Sequence, residues 1–219
     1  MSVTGFATMI SSAAISGALA ASAPPGSPAI PLAVQGVAFC QAGLIALGVL
    51  AVGTEYAGCQ IVTTLATIPN RTLLLVGKAT AYLIGAAAMA AAAIGAGLAA
   101  AWAILAGWGA TAVDWGPVWP MVGAAVYLVA MGLLAFAVAT LLRSLIAPLV
   151  GMSSLVFVVS PLLTGIGQYG HWLPDQAGAL LYGQGDGTAR TPVAGALVLA
   201  GWIAAVMLAA GVRFFRHDA

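Results

Sequence analysis

The chain is 219 residues long, 63% apolar and only 5% charged, with a mean hydropathy of +1.10. So few charges cannot clothe a water-soluble domain, and the composition calls for an integral membrane protein. A net charge of +1 without a basic cluster excludes a nucleic-acid-binding surface.

A membrane-crossing helix needs about 20 apolar residues. Residues 1–54 hold no charged side chain and are long enough for two, with Ala23-Pro24-Pro25-Gly26-Ser27-Pro28 breaking them near the middle. The first span is therefore expected at about 3–21 and the second at about 30–52. Ala21-Ser22-Ala23 resembles a signal-peptidase site. However, residues 1–20 have no basic segment and Pro24 would follow the cut, so a retained first helix is expected.

Charge and turn chemistry first arrive in residues 53–78. Gln60, Thr63, Thr64 and Thr67 fall at i, i+3, i+4 and i+7, while Gly58, Ile61, Leu65 and Ile68 share another face. Thr54 stands where an N-cap would, Glu55 in a first turn, and Pro69-Asn70 at a stop. The pattern predicts a short amphipathic helix along the membrane surface. A connecting loop without any partner is the alternative. Cys40 and Cys59 are not expected to pair, since at about 1.5 Å per residue Cys40 lies roughly 18 Å below the end of its span.

The stretch 72–107 is too long for one upright helix. Its first turns are expected to continue the surface segment, with Lys78 snorkelling to the interface and the third span at about 79–105. Residues 107–120, with Asp114 and Trp108, Trp115 and Trp119, read as an interfacial turn. A fourth span at about 121–142 ends at Arg143, and a fifth follows at about 144–163, bent or bounded by Pro148 and Pro161. A second hydrophilic region, 165–191, holds His171, Asp175, Asp186 and Arg190. The sixth span, about 192–211, is closed by Arg213 and Arg216. The expected fold is one all-α membrane domain over 1–219, six transmembrane helices with a surface helix between the second and third.

Counting Lys and Arg in alternate connections puts Arg71, Lys78, Arg143, Arg213 and Arg216 on one side and only Arg190 on the other. That asymmetry places segment 54–78, the turn at 142–145 and both termini in the cytoplasm. Ala13, Gly17 and Ala21, with the alanines of 86–93 and 99–101, are assigned to close helix packing.

The middle of every expected span lacks Asp, Glu, Lys, Arg and His, which argues against an ion-driven carrier. Ser153 and Ser154 do not match the depth of His171, as an intramembrane protease would require. No catalytic residue is assigned. No clustered ligands point to a metal, and no phosphate-cradling glycine loop points to ATP hydrolysis by the chain itself. What remains is a helical bundle driven by something docking from the cytoplasm.

The residues also resemble a known family, the permease subunits of type 2 ABC transporters, particularly their short actinobacterial form. That family carries Glu-Tyr, then Gly, Ile-Arg-x-Thr-Leu, Pro, Arg and Lys at fixed offsets after its second span. Here Glu55-Tyr56, Ile61, Thr64-Leu65, Pro69, Arg71 and Lys78 stand at those offsets. Leu141-Leu142-Arg143-Ser144, Trp172-Leu173-Pro174 with Ala177-Gly178, and residues 213–219 extend the resemblance over nearly the whole chain. It departs in three places. Gly58 comes one position early with Cys59 in its place, Val62 and Asn70 stand where basic residues are common, and no basic amphipathic segment precedes the first span.

The resemblance implies an exporter in the bacterial cytoplasmic membrane, in which two permease halves pair, identical or not. Each half would rest a coupling helix in a cleft of a separate ATP-binding subunit, which alone binds ATP and Mg. Glu55, Tyr56, Gly58, Ile61, Thr64, Leu65 and Pro69 would form that coupling surface. Arg71, Lys78 and Arg143 would anchor it at lipid phosphates, each attraction being worth about 1 kcal/mol. Arg71 and Lys78 could equally anchor lipid without any coupling role. The rival class is a non-transporting membrane protein, such as an assembly or immunity partner. An apolar interior fits a drug, antimicrobial peptide or lipid better than a small ion.

Overall fold

The computed structural model describes residues 2–24, 27–57, 71–107, 115–166, 170, 172–183 and 191–216, which are helical with short connections and contain no strand. Among the described residues five helices are long and apolar enough to cross a membrane, or six when one bent pair is counted as a single span. Their outward faces carry large apolar side chains, among them Ile84, Ile146, Leu162, Ile166, Leu197 and Leu208. Water would not tolerate that surface on a monomer, whereas lipid is its natural solvent.

The first span is the helix Ser2–Ser22. The second differs from expectation in being broken, with Ala29–Gln35 and Val37–Gly53 meeting at 48° across Gly36. The bend falls at the glycine, where a Cβ would come within 3.1 Å of the Ser16 hydroxyl of the first span. Its second piece continues to Ala57, so Thr54 and Glu55 sit in the last turn of a spanning helix. That corrects the expected N-cap: nothing between Val52 and Ala57 breaks a helix. The helix of the third span likewise starts early and runs unbroken over Arg71–Gly107. Thirty-seven residues at about 1.5 Å each reach about 55 Å, well beyond a hydrocarbon core of about 30 Å. Only residues 58–70 of the expected surface segment are left between these helices, and they lie outside the described residues.

The fourth span is Trp119–Leu142 and is closed by Arg143 in the left-handed conformation, φ 51°. The fifth covers Ile146–Ile166 and changes winding on the way, with a π turn at Leu155–Val159. There the Ser160 N–H bonds back to the Leu155 carbonyl. Pro161 explains the widening, since its ring would collide with the carbonyl four residues earlier in a regular helix. The sixth span lies in the helix Pro192–Arg216.

The hydrophilic stretch before the sixth span is more than a loop. Pro174–Ala179 forms a short helix that passes into a 3-10 turn, Leu180–Tyr182. Pro174 opens it, in the position where a missing N–H costs nothing. Asp175, Ala177, Gly178, Leu181 and Tyr182 are all buried.

The core lies between the second, third and fourth spans, around Leu44, Ile45, Tyr82, Leu128, Met131 and Phe136. Lipid competes for apolar surface as well as protein does, so close fit and hydrogen bonds hold such helices together. Glycines supply the fit where the second and fourth spans cross: a Cβ on Gly48 would stand 2.1 Å from the Gly132 carbonyl oxygen. Hydroxyls supply bonds between the first and third, the Ser12 hydroxyl donating to the Ala93 carbonyl at 2.6 Å. Gly17 meets Ala100 and Ile104 there, in keeping with the packing role expected for the small residues. Of the five unbroken candidates, the fourth span is the most enclosed and the fifth and sixth the least.

Candidate functional site

Two regions of the bundle carry polar chemistry, one at each end. At the basic end, Glu55 and Tyr56 close the second span's helix, and Arg71 opens that of the third. Lys78 lies seven residues further on and is half-buried. Arg143 caps the fourth span. Beside it the Arg213 Nη1 donates to the Leu141 carbonyl at 2.9 Å, satisfying one of the orphan acceptors at that helix end. Gly53 packs against Leu145, where a Cβ would lie 3.2 Å from the Leu145 Cα. The ends of the second, fourth and fifth spans are thus brought together. Gly58, Ile61, Thr64, Leu65 and Pro69, the middle of the expected coupling surface, fall outside the described residues.

The opposite, distal end holds a buried polar cluster that the sequence reading missed. The Tyr127 hydroxyl of the fourth span donates to Gln41 Oε1 of the second, both buried. The Tyr127 ring packs on Tyr182 at 5.2 Å between centroids. Asp175 is 5% exposed. One side-chain amide serves two acceptors, Gln176 Nε2 donating to Ser160 Oγ at 3.0 Å and to Asp175 Oδ2 at 3.2 Å. Asp175 Oδ1 is buried and has no hydrogen-bond partner among the described residues.

Close approach of backbone builds this site. The Leu181 carbonyl sits where a Cβ of Gly123 would go, at 1.9 Å, and the Ala177 carbonyl where one of Gly195 would go, at 2.2 Å. Only glycine on the fourth and sixth spans lets the 174–182 segment settle this deeply. Burial pushes the Asp175 carboxyl above the ordinary carboxylate range. The Ser160 hydroxyl, the backbone amides of Asp175 and Gln176 and the Gln176 side chain pull the other way without prevailing. Burial also raises the Tyr182 phenol, and the neighbouring Asp175 adds to the effect. The sequence signal for all this was slight: Pro174-Asp175 marks a helix start, but nothing local marks its burial.

Beside the segment, Trp172, Val198, Gly201, Trp202 and Ala205 line an open apolar groove of about 490 Å³. Trp202 Nε1 donates to the Trp172 carbonyl at 3.0 Å and ties the segment to the sixth span. Trp115 and Trp119, also at the distal end, are exposed, as interfacial aromatics would be. Among the described residues no group of three or more His, Cys, Asp or Glu could hold a metal ion. His171, Asp114, Asp186 and Arg190 lie outside them.

No protein-family model matches the chain, and no match is found among curated proteins or solved structures. Helix length, hydropathy and the apolar outer surface define a multi-pass α-helical membrane protein with five to six crossings.

Proposed function

We propose that the chain is the membrane permease subunit of an ATP-driven type 2 ABC exporter. It would move a hydrophobic or amphipathic substrate out of the cytoplasm or the inner leaflet. The reading rests above all on the polar motif Glu55–Lys78, placed between the second and third spans of a bundle whose spans carry no Asp, Glu, Lys, Arg or His at mid-depth. Such a bundle has no energy source of its own. The length of the third span's helix supports the reading too. A rod of about 55 Å can carry its Arg71 end clear of the lipid, within reach of a soluble subunit.

In this scheme a separate ATP-binding subunit, with its ATP and Mg, receives Glu55, Tyr56, Gly58, Ile61, Thr64, Leu65 and Pro69. Arg71, Lys78 and Arg143 hold the basic end at the lipid phosphates, and a second permease half completes the transporter. The test is affinity purification of the tagged chain in mild detergent, with ATPase activity measured on what accompanies it. A Glu55→Ala, Leu65→Ala double variant runs in parallel. Recovery of a Walker-motif protein, lost or uncoupled in the variant, supports the exporter. An absent ATPase, or binding indifferent to residues 55–65, overturns it in favour of a non-transporting membrane partner.

A further inference from the structure

Among the described residues, the outer third of the fifth span, Ser160–Ile166, packs extensively only on the π turn before it. Its side chains Leu162, Leu163 and Ile166 are exposed. The polar tie from it to the sixth-span side of the bundle is the bond from Gln176 to the fully buried Ser160. The same amide holds Asp175, whose second oxygen is buried with no donor among the described residues. A π turn and Pro161 sit next to that tie, where a helix bends most readily. We propose that Asp175 is a proton-binding site whose neutral form latches segment 172–182 to the fifth span and whose ionised form releases it.

Among the described residues the groups facing the carboxyl offer hydrogen bonds but no cation to a negative charge. The fourth span presents Tyr127 and the 3-10 turn Tyr182, both acids themselves; the fifth span presents neutral Ser160. The sixth span has no ionisable residue between Pro192 and Val212. A protonated carboxyl accepts the Gln176 amide on Oδ2 and carries its proton on Oδ1, so no charge is buried. Loss of that proton buries a charge shared by both carboxylate oxygens, of which Oδ1 meets no donor among the described residues, and entering water relieves that cost. Water enters when the 172–182 segment lifts from Ser160.

The direction with pH follows from the raised carboxyl. An acid that holds its proton more tightly when folded stabilises the fold fully below its ordinary value, about 3.9. That stabilisation disappears as pH rises through the folded-state value, which lies higher.

The full-length protein in lipid nanodiscs provides the test, by melting wild type and Asp175→Asn from pH 4 to pH 8. Asparagine keeps the shape of the neutral acid. The two should melt together at pH 4, and the variant should gain at higher pH, by about 3–5 °C for each tenfold difference in proton affinity between folded and unfolded chains. Amide exchange in residues 172–182 should quicken in the wild type at pH 8, relative to Asp175→Asn at the same pH. A constant difference at every pH overturns the proposal, as does unchanged exchange. So does a variant that loses stability chiefly at pH 8. That pattern, reproduced by Arg190→Gln, would identify an ionised Asp175 paired with Arg190. Ser160→Ala removes the acceptor of the Gln176 tie and should quicken exchange in residues 172–182 at pH 4 as well as at pH 8; exchange as slow as wild type at pH 4 counts against the latch. Neither ATP nor a partner subunit enters these measurements, so the exporter reading stands or falls separately.

Discussion

Gly48→Ala should destabilise the bundle although alanine is the better helix former. The added Cβ would lie 2.1 Å from the Gly132 carbonyl oxygen and 3.1 Å from the Phe136 backbone nitrogen. Both neighbours are backbone in the interior of the fourth span, so neither can rotate away. Reaching an ordinary contact, which begins at 3.4 Å, requires the two helices to part by more than an ångström. Tyr82 closes the crossing from the third side: its hydroxyl, which donates to the Val129 carbonyl at 3.4 Å, sits where a Cβ of Gly132 would go. Overpacking of this kind costs about 1–3 kcal/mol, and rigid backbone on both sides puts it at the upper end. Helix propensity returns about 0.8–1.0 kcal/mol. The net loss is about 2 kcal/mol, or a fall in melting temperature of about 4–8 °C for a chain of this size.

Gly85→Ala is the matched control, because its Cβ meets nothing within 4 Å. It should leave melting unchanged or raise it by about 2–4 °C, through propensity alone. Thermal unfolding of both variants in one detergent, followed by tryptophan fluorescence, decides the matter. If Gly48→Ala melts as high as Gly85→Ala, the close crossing of the second and fourth spans is wrong.

Tyr127→Phe should leave the buried Gln41 oxygen without its donor and cost about 1–3 kcal/mol, whereas adding Gln41→Leu should recover much of the loss in a double-mutant cycle. Arg213→Gln should lower the melting temperature slightly, by the loss of about 0.3–1 kcal/mol at the end of the fourth span, with Arg213→Lys in between. Co-purification of an ATPase should fail in the Glu55→Ala, Leu65→Ala variant while its melting stays near wild type, which separates lost coupling from lost folding.

Much of the fold could be read from the chain in order, because crossing a membrane is a local requirement. About 20 apolar residues between breakers suffice to define a span, and the breaks at Pro24–Pro28 and at Arg143 fell where the residues placed them. Local chemistry also explains why Pro161 perturbs its helix. It failed at the edges of the polar segment. Thr54 and Glu55 look like a helix start by residue type, yet nothing ends the helix before Ala57. The candidate coupling residues are legible as a motif, but Glu55, Tyr56 and Arg71 fall in the ends of spanning helices and not in a separate surface helix, while residues 58–70 lie outside the described structure.

What the sequence by itself determined is therefore the solvent: lipid around six apolar segments, with charge confined to their ends. Only the tertiary structure decided that Asp175 is buried. Its composition reads as an outer loop, and its burial depends on Gly123, Gly195, Tyr127 and Ser160, none closer than 15 residues along the chain. The bend at Gly36 and the crossing at Gly48 have the same origin. Hydropathy is a sum over neighbours in sequence, whereas a buried charge or a missing Cβ takes its meaning from atoms that only folding brings near.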